Sequence, residues 1–261
     1  MRIGFIGCGQ VGKMLLANII KTGDAHSFLV TTRTKSSAES LKTNYPVSIC
    51  ESNERLVTSS DIIFLCVQPD DFNAVFNEIE KLDTAGKLFI SITSDLVIED
   101  RLMAKTKIIK TSPNTSIETG DGIILYSPGD YATENDIELF KNILRCSGSF
   151  IPVSSQMLKK AGKISGCGPA IIYTIIDAII DSGIMLGLDY KLAKELAIKM
   201  VIGSAQKAIT TGRAMEDLKR EVTTPGGRSI QAISMLEKNG IRGIIMESFE
   251  ASYNKSLPNC K

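Results

Sequence analysis

The chain has 261 residues and a formal net charge of +1, and apolar residues make up 43% of the sequence. This length allows one or two domains with a sizeable core, while the balanced charge offers no basic stripe for nucleic acid and no acidic tract typical of disorder. Six cysteines without CxxC spacing indicate free thiols in a reducing cytoplasm, and a single histidine argues against a metal site or a Ser-His-Asp triad. We expect no signal peptide, because glycines lie inside the apolar run at the N-terminus. We also expect no membrane span, because Asp177 and Asp181 interrupt the most apolar stretch.

Residues 1–153 alternate short β-like runs with longer helical segments. The runs are rich in Ile, Val or Phe, and this rhythm predicts an α/β domain with a parallel sheet covered by helices on both faces. A helix capped by Thr133 and stopped by Gly148 is expected before the last strand. The predicted strands are 2–7, 27–32, 61–67, 87–93, 107–111, 122–127 and 148–153.

A GxGxxG pattern follows the first predicted strand and opens a helix. The first glycine allows a tight turn, the second lets the backbone approach a pyrophosphate, and the third lets helix and strand pack closely. We interpret this loop as a dinucleotide site, and the alternative is a purely structural turn. The residues assigned to the site are Gly7, Gly9, Gln10, Val11 and Gly12.

The second strand ends in "TTRTKSS" (31–37), where an NAD-selective protein usually carries an acidic residue for the ribose 2′-hydroxyl. Hydroxyl groups and a guanidinium would instead hold a 2′-phosphate. We therefore predict NADP(H) as the cofactor, bound here by Thr32, Arg33 and Thr34. The alternative is a solvated basic loop.

The third strand ends in "CVQPDDF", at the sheet edge where this fold binds its cofactor. Val67, Gln68 and Pro69 are therefore predicted to lie beside the adenosine side of the nucleotide. Asn53 could also reach the adenosine, or it could cap a helix.

From residue 154 the pattern becomes all-helical, which predicts a Rossmann-like domain at 1–153 and a helical substrate-binding and dimerisation domain at 154–261. The segment after Pro169 is apolar nearly all round and must be buried on every side, so we expect a second subunit to cover part of it. A homodimer, or a larger homo-oligomer built from dimers, follows. The predicted helices run from Ser154 or Ser155 towards Gly166, and over 168–188, 190–212, 228–240 and 242–256.

The corner "EVTTPGGRSIQAI" (221–233) places hydroxyl groups and two glycines directly before a helix. Backbone amides at a helix N-terminus form an anion site, to which nearby hydroxyls can add donors. The alternative is an ordinary turn at a helix entry.

These motifs resemble, in order, those of Δ1-pyrroline-5-carboxylate reductases, with the late competence ComER proteins as a related branch. The resemblance covers nearly the whole chain and is carried by "IGFIGCGQVG", "TRT", "FLCVQP", "SPNTS", "ISGCGPA", "DSGIMLGLDYKLA", "VTTPGG" and "LEKNGIRG". It implies an NADP-dependent reductase of proline biosynthesis that reduces a cyclic imine acid and builds its site between subunits.

The resemblance also implies roles for individual residues. Thr223, Thr224, Gly226 and Gly227 match the segment that wraps the substrate carboxylate, and Asn114 matches a position near the nicotinamide. Ser229, paired with Thr224 as a catalytic candidate, would bond to the ring nitrogen. Ordinary turn residues, and a helix cap at Ser229, are the alternatives. A protonated imine needs no strong acid, so the lack of a catalytic histidine is no objection.

Several positions depart from the family pattern. Gln68 replaces a lysine, Ser112 replaces a methionine, and Arg220 replaces an acid. Thr93, Ser94 and Asp95 replace small apolar residues, and Arg228 either selects a substrate with a second acid group or faces water. The hypotheses left open are a pyrroline-5-carboxylate reductase, a reductase of a related cyclic imine acid, and a non-catalytic NADP-binding paralogue of the competence type.

Overall fold

The computed structural model describes residues 1–92, 102 and 105–254. Eight strands form one sheet in the order β3-β2-β1-β4-β5-β6-β7-β8, and every neighbouring pair is parallel except β6 and β7. The strands are β1 Arg2–Ile6, β2 Ser27–Thr31, β3 Val47–Ile49, β4 Ile62–Leu65, β5 Leu88–Ser91, β6 Lys107–Pro113, β7 Gly122–Pro128 and β8 Gly148–Pro152.

Five α-helices accompany these strands in the described part of the chain. They are α1 Gln10–Lys21, α2 Lys35–Asn44, α3 Asn53–Ser59, α4 Phe72–Ile79 and α5 Glu134–Ile143. Thr133 caps α5 as expected, through a capping box with Asp136. The helix ends earlier than predicted, and the 3₁₀ turn Arg145–Ser147 fills the distance to Gly148.

Alternating strand residues build a core on each face of the sheet. Phe5 and Phe64, both fully buried, stack 4.7 Å apart on the face that packs against α1 and α5. Phe89 and its neighbours pack on the opposite face against α3 and α4. The predicted layered α/β architecture is therefore confirmed, with one antiparallel strand pair added.

The second half of the chain is helical, with α6 Ser155–Met185, α7 Tyr190–Thr211, α8 Met215–Glu221, α9 Arg228–Lys238 and α10 Ile241–Asn254. The prediction of two helices before residue 188 was wrong, because α6 is continuous and carries Pro169 within it. By length and composition alone, α6 is apolar enough to cross a membrane. One such helix is weak evidence of a span.

The chain divides into two compact units, Met1–Gly166 and Cys167–Lys261. The first part of α6 therefore groups with the sheet, and the domain limit at residue 153 remains a prediction. The described residues of the second unit include only a small buried cluster of Ile180, Ala193 and Ala197. A Cβ added at Gly183 would lie 2.9 Å from the Cβ of Ala193, so the glycine lets α6 and α7 approach closely.

Candidate functional site

The glycine loop closes the carboxyl end of β1. Gly7 has φ of +73°, and its N–H donates to the carbonyl of Thr31 at 3.1 Å. A Cβ at Gly7 would lie 3.0 Å from the carbonyl oxygen of Cys66, so both the conformation and the space require glycine. A Cβ at Gly12 would lie 3.3 Å from the Cβ of Cys66, which explains the third glycine by close helix–strand packing.

Gly9 differs from the other two glycines of the loop. It precedes α1 with φ of −70°, which any residue adopts, and a Cβ placed on it would meet no described atom within 4 Å. Contacts within the described chain therefore do not require glycine here. A backbone left bare at the start of an uncapped helix fits the close approach of a pyrophosphate, and the first turn of α1 carries no acidic residue to oppose it.

Two thiols lie beneath this loop and are not nucleophiles. Burial raises the pKa of Cys8 to about 11, although Lys13 opposes the shift. Burial, with a smaller contribution from Cys8, also raises the pKa of Cys66 well above its usual value. Both thiols stay protonated near neutral pH and act as small packing groups.

The segment after β2 is organised by short hydrogen bonds. The Thr34 hydroxyl accepts from the N–H of Ser37 at 3.3 Å and caps α2, while the Thr32 hydroxyl donates to the Thr34 carbonyl at 3.1 Å. The Arg33 guanidinium extends to Asp71, with one Nη atom 2.9 Å from each carboxylate oxygen. This ion pair was not predicted from the sequence.

The residues predicted to contact adenosine follow β4 and α3. Val67 packs beside Gly7, and Gln68 leads into the 3₁₀ turn Pro69–Asp71. The Gln68 carbonyl accepts from the N–H of Asp71 at 3.0 Å. These residues and the segment after β2 all lie at the carboxyl ends of β1, β2 and β4, the edge where this fold binds a dinucleotide.

Asn53 is the first residue of α3, and Ser52 is the cap. Its carboxamide oxygen accepts from the Thr31 hydroxyl at 2.6 Å, and its nitrogen donates to Glu78 at 2.9 Å. The side chain therefore links β2 to α4, and the suggested cap role of Asn53 is wrong.

Asn114 follows β6 and is buried, with both ends of its carboxamide engaged. The oxygen accepts from the N–H of Ile123 at 3.0 Å, and the nitrogen donates to the carbonyl of Ser165 in α6 at 3.3 Å. That carbonyl lies four residues before Pro169, which has no N–H to donate to it. Asn114 thus supplies the hydrogen bond that the proline removes from α6.

Two further contacts align β6 with the first half of α6. Lys110 donates to the Ser155 hydroxyl. Ser112 packs directly against Gly162, because a Cβ added to that glycine would lie 2.7 Å from the Oγ of Ser112. Sequence reasoning missed Lys110, although a lysine inside the apolar run "KIIKT" was the available signal. Ser112 and Gly162 together allow the close approach of strand and helix.

In the second unit, the corner before α9 has the features of an anion site. Gly226 has φ of +68°, and Gly227 precedes α9 without any side-chain cap. A Cβ at Gly227 would overlap the Thr224 hydroxyl. Glycine at this position therefore leaves room for that hydroxyl beside the turn. The first turn of α9 carries no acidic residue that would oppose an anion at its amides.

The hydroxyl groups of this corner differ in their use. Thr223 donates within α8, to the carbonyls of Lys219 and Arg220 at 3.2 and 3.0 Å. Ser229 is the second residue of α9 and is exposed, so the alternative that it caps this helix is wrong. Arg228 begins α9 as an exposed side chain.

No group of three His, Cys, Asp or Glu is arranged to hold a metal ion in the part of the chain that the structure describes. Thr93, Ser94 and Asp95 lie outside that part.

Family models match both halves of the chain. One described as "NADP oxidoreductase coenzyme F420-dependent" matches residues 2–95, and one described as "Pyrroline-5-carboxylate reductase dimerisation" matches residues 155–258. Pyrroline-5-carboxylate reductase from Methanosarcina acetivorans is 31% identical over 257 residues, covering 95% of this chain and 93% of the relative. The Escherichia coli enzyme is 30% identical over 260 residues, with coverage of 98% and 97%.

Solved structures agree with these sequence matches. The crystal structure of Plasmodium falciparum pyrroline carboxylate reductase with NADP bound superposes with a TM-score of 0.86 at 28% identity, covering 98% of this chain and 97% of that one. The pyrroline-5-carboxylate reductase from Coxiella burnetii gives a TM-score of 0.83 at 28% identity, with coverage of 97% and 96%.

Proposed function

Because this chain belongs to the pyrroline-5-carboxylate reductase family, we propose that it reduces Δ1-pyrroline-5-carboxylate to proline with NADPH. One observation of the structure carries the substrate assignment. The N-terminus of α9 has neither a side-chain cap nor an acidic residue, and its glycine turn leaves the amides open to a carboxylate. Such a cradle suits a small anionic substrate.

The nucleotide end of the reaction is assigned to the first unit. The amides of Gly9 and of the first turn of α1, at Gln10, Val11 and Gly12, would hold the pyrophosphate, while Gly7 shapes the turn. Thr32, Arg33 and Thr34 would bind the 2′-phosphate. When bound, NADPH supplies the hydride that the imine carbon accepts. Val67, Gln68 and Pro69 would line the adenosine side.

The substrate end is assigned to the corner before α9. The Gly226 amide, the amides of the first turn of α9 and the Thr224 hydroxyl would bind the carboxylate. Gly227 would act by shaping the turn, because its own N–H donates to the Thr224 carbonyl at 3.0 Å. Thr223 contributes mainly by ordering the turn, because its hydroxyl already bonds within α8. Ser229 would accept a hydrogen bond from the protonated ring nitrogen, and the product amine forms without an added strong acid. Asn114 would lie near the nicotinamide, and its bonds to Ile123 and Ser165 position α6.

We also propose that the protein acts in the cytoplasm as a homodimer or a larger homo-oligomer. Large apolar side chains are exposed along the helices of the second unit, including Met185, Leu186 and Ile209. The match to a dimerisation domain at 155–258 supports a second copy of this chain as the cover. The described cysteines are free, as a reducing compartment requires.

The experiment is NADPH oxidation followed at 340 nm with pyrroline-5-carboxylate as substrate. Ser229→Ala should lower kcat by about tenfold to a hundredfold, and Thr224→Ala should mainly raise KM. Ser234→Ala, on the same helix, is the matched control and should leave both constants unchanged. Neither active-site substitution should change the Kd for NADPH.

The other two hypotheses give distinct results. Tight NADPH binding without turnover would refute catalysis and favour the non-catalytic paralogue. A higher kcat/KM for a cyclic imine with a second carboxylate, lost in Arg228→Ala, would favour the related reductase, since Arg228 is exposed beside the cradle.

A further inference from the structure

The Arg33–Asp71 ion pair joins the two strands that flank β1. Arg33 follows β2, and Asp71 ends the 3₁₀ turn after β4, while the sheet order places β1 between these strands. The pair therefore crosses the carboxyl end of β1, where the glycine loop begins. In this fold that edge receives the adenosine half of a dinucleotide.

The ion pair places a carboxylate beside the group best suited to a 2′-phosphate. One Nη atom of Arg33 lies 2.9 Å from both oxygens of Asp71. Guanidinium groups bind carboxylate and phosphate through the same donors, so Asp71 and a 2′-phosphate compete for Arg33. A phosphate monoester near neutral pH also carries about −1.5 to −2 charge and would repel Asp71.

The exposure of the pair makes it exchangeable. The Arg33 side chain is 79% exposed and that of Asp71 is 38% exposed, so water and salt screen their attraction. A pair of this kind does not hold Arg33 rigidly for a ligand. Its main effect is to cancel the charge that a phosphate would otherwise meet.

The remaining surroundings favour a phosphate. The first turn of α2 has no acidic residue and begins with Lys35, and its cap is the Thr34 hydroxyl. Asp71 is thus the acidic group that contacts Arg33 within the described chain. It opposes an otherwise phosphate-binding segment.

We infer that Asp71 is a specificity-determining residue that reduces the preference for NADPH over NADH. It occupies Arg33 in the free protein and repels the 2′-phosphate, while it leaves the 2′-hydroxyl of NADH unopposed. The protein therefore accepts both dinucleotides. This inference rests on the proposed function, because it concerns the cofactor of that reaction.

The test compares dissociation constants, measured by calorimetry without substrate, for NADPH and NADH on the full-length protein. Asp71→Asn should lower the Kd for NADPH by about threefold to tenfold and leave that for NADH within about twofold. Asp70→Asn, which removes the neighbouring carboxylate, is the matched control and should change neither. Adenosine 2′,5′-bisphosphate and AMP should reproduce the same contrast.

A second variant tests whether Asp71 acts through Arg33. In an Arg33→Gln background, Asp71→Asn should lose most of its effect, because the two residues act on the same phosphate. An Asp71→Asn substitution that weakens NADPH binding, or that shifts both dinucleotides equally, would overturn the inference. Failure of the unsubstituted protein to bind either dinucleotide would instead refute the proposed function, and this inference with it.

Discussion

Removing the Asn114 carboxamide should leave the Ser165 carbonyl of α6 without a hydrogen bond, because Pro169 has no N–H to donate to it. Asn114→Ala deletes the bonds to the Ile123 N–H and to the Ser165 carbonyl, which measure 3.0 and 3.3 Å. Pro169→Ala restores an N–H that can donate to the same carbonyl. The two substitutions together form a double-mutant cycle around one acceptor.

The magnitude follows from the two bonds. A buried hydrogen bond contributes about 1 kcal/mol, and a partner left unsatisfied adds a further penalty, so Asn114→Ala should lower the free energy of unfolding by about 2–4 kcal/mol. In that background, Pro169→Ala should recover about 1 kcal/mol, because it satisfies Ser165 again. In the unsubstituted protein the same change should add less, since Asn114 already serves this carbonyl.

Urea unfolding followed by circular dichroism, at one fixed protein concentration, measures all four forms of the cycle. Asn142→Ala, at an exposed position of α5, is the control and should change the free energy of unfolding by less than about 0.5 kcal/mol. If the effects of Asn114→Ala and Pro169→Ala add to within about 0.3 kcal/mol, the two residues do not share an acceptor and the reasoning fails.

Three other predictions concern separate features. Gly9→Ala should raise the Kd for NADPH at least about tenfold while changing the free energy of unfolding by less than about 1 kcal/mol, as paired binding and urea measurements would show; equal losses in both would contradict it. Burial raises the pKa of Asp136, but hydrogen bonds from Thr133 and Lys107 outweigh it and hold the pKa low. Stability should therefore fall as pH drops below about 4, and Asp136→Asn should flatten that loss in acid-unfolding curves. Burial lowers the pKa of His26, so the unfolded state binds the proton more readily and stability should fall as pH drops below about 6.5. His26→Leu should remove this slope, and a slope that persists would assign it to another group.

The sheet and the glycine loop could be predicted because their signals are local. In the first strand Ile3 and Phe5 belong to one core and Ile6 to the other. The three glycines of the loop follow this strand within six positions, from Gly7 to Gly12. β3 gave no comparable signal, because Val47–Ile49 is a three-residue edge strand that is only partly buried. Short edge strands lack the pattern that a buried strand shows.

The errors at α6 and at the site arise from partners far apart in the chain. A proline after two glycines is a helix-breaking signal, yet Asn114 lies 51 residues from the carbonyl that it satisfies. The Arg33–Asp71 pair likewise joins residues 38 positions apart. Composition and spacing identify the residue types at such places, and only the fold shows which of them meet.

The scarcity of buried side chains in the second unit has a consequence for how this protein matures. The sheet-containing half has two cores of its own and can fold during synthesis. The helices that follow bury few side chains within the described chain, so their apolar surface stays exposed until a second copy covers it. Yield in a cell would then rise steeply with expression level.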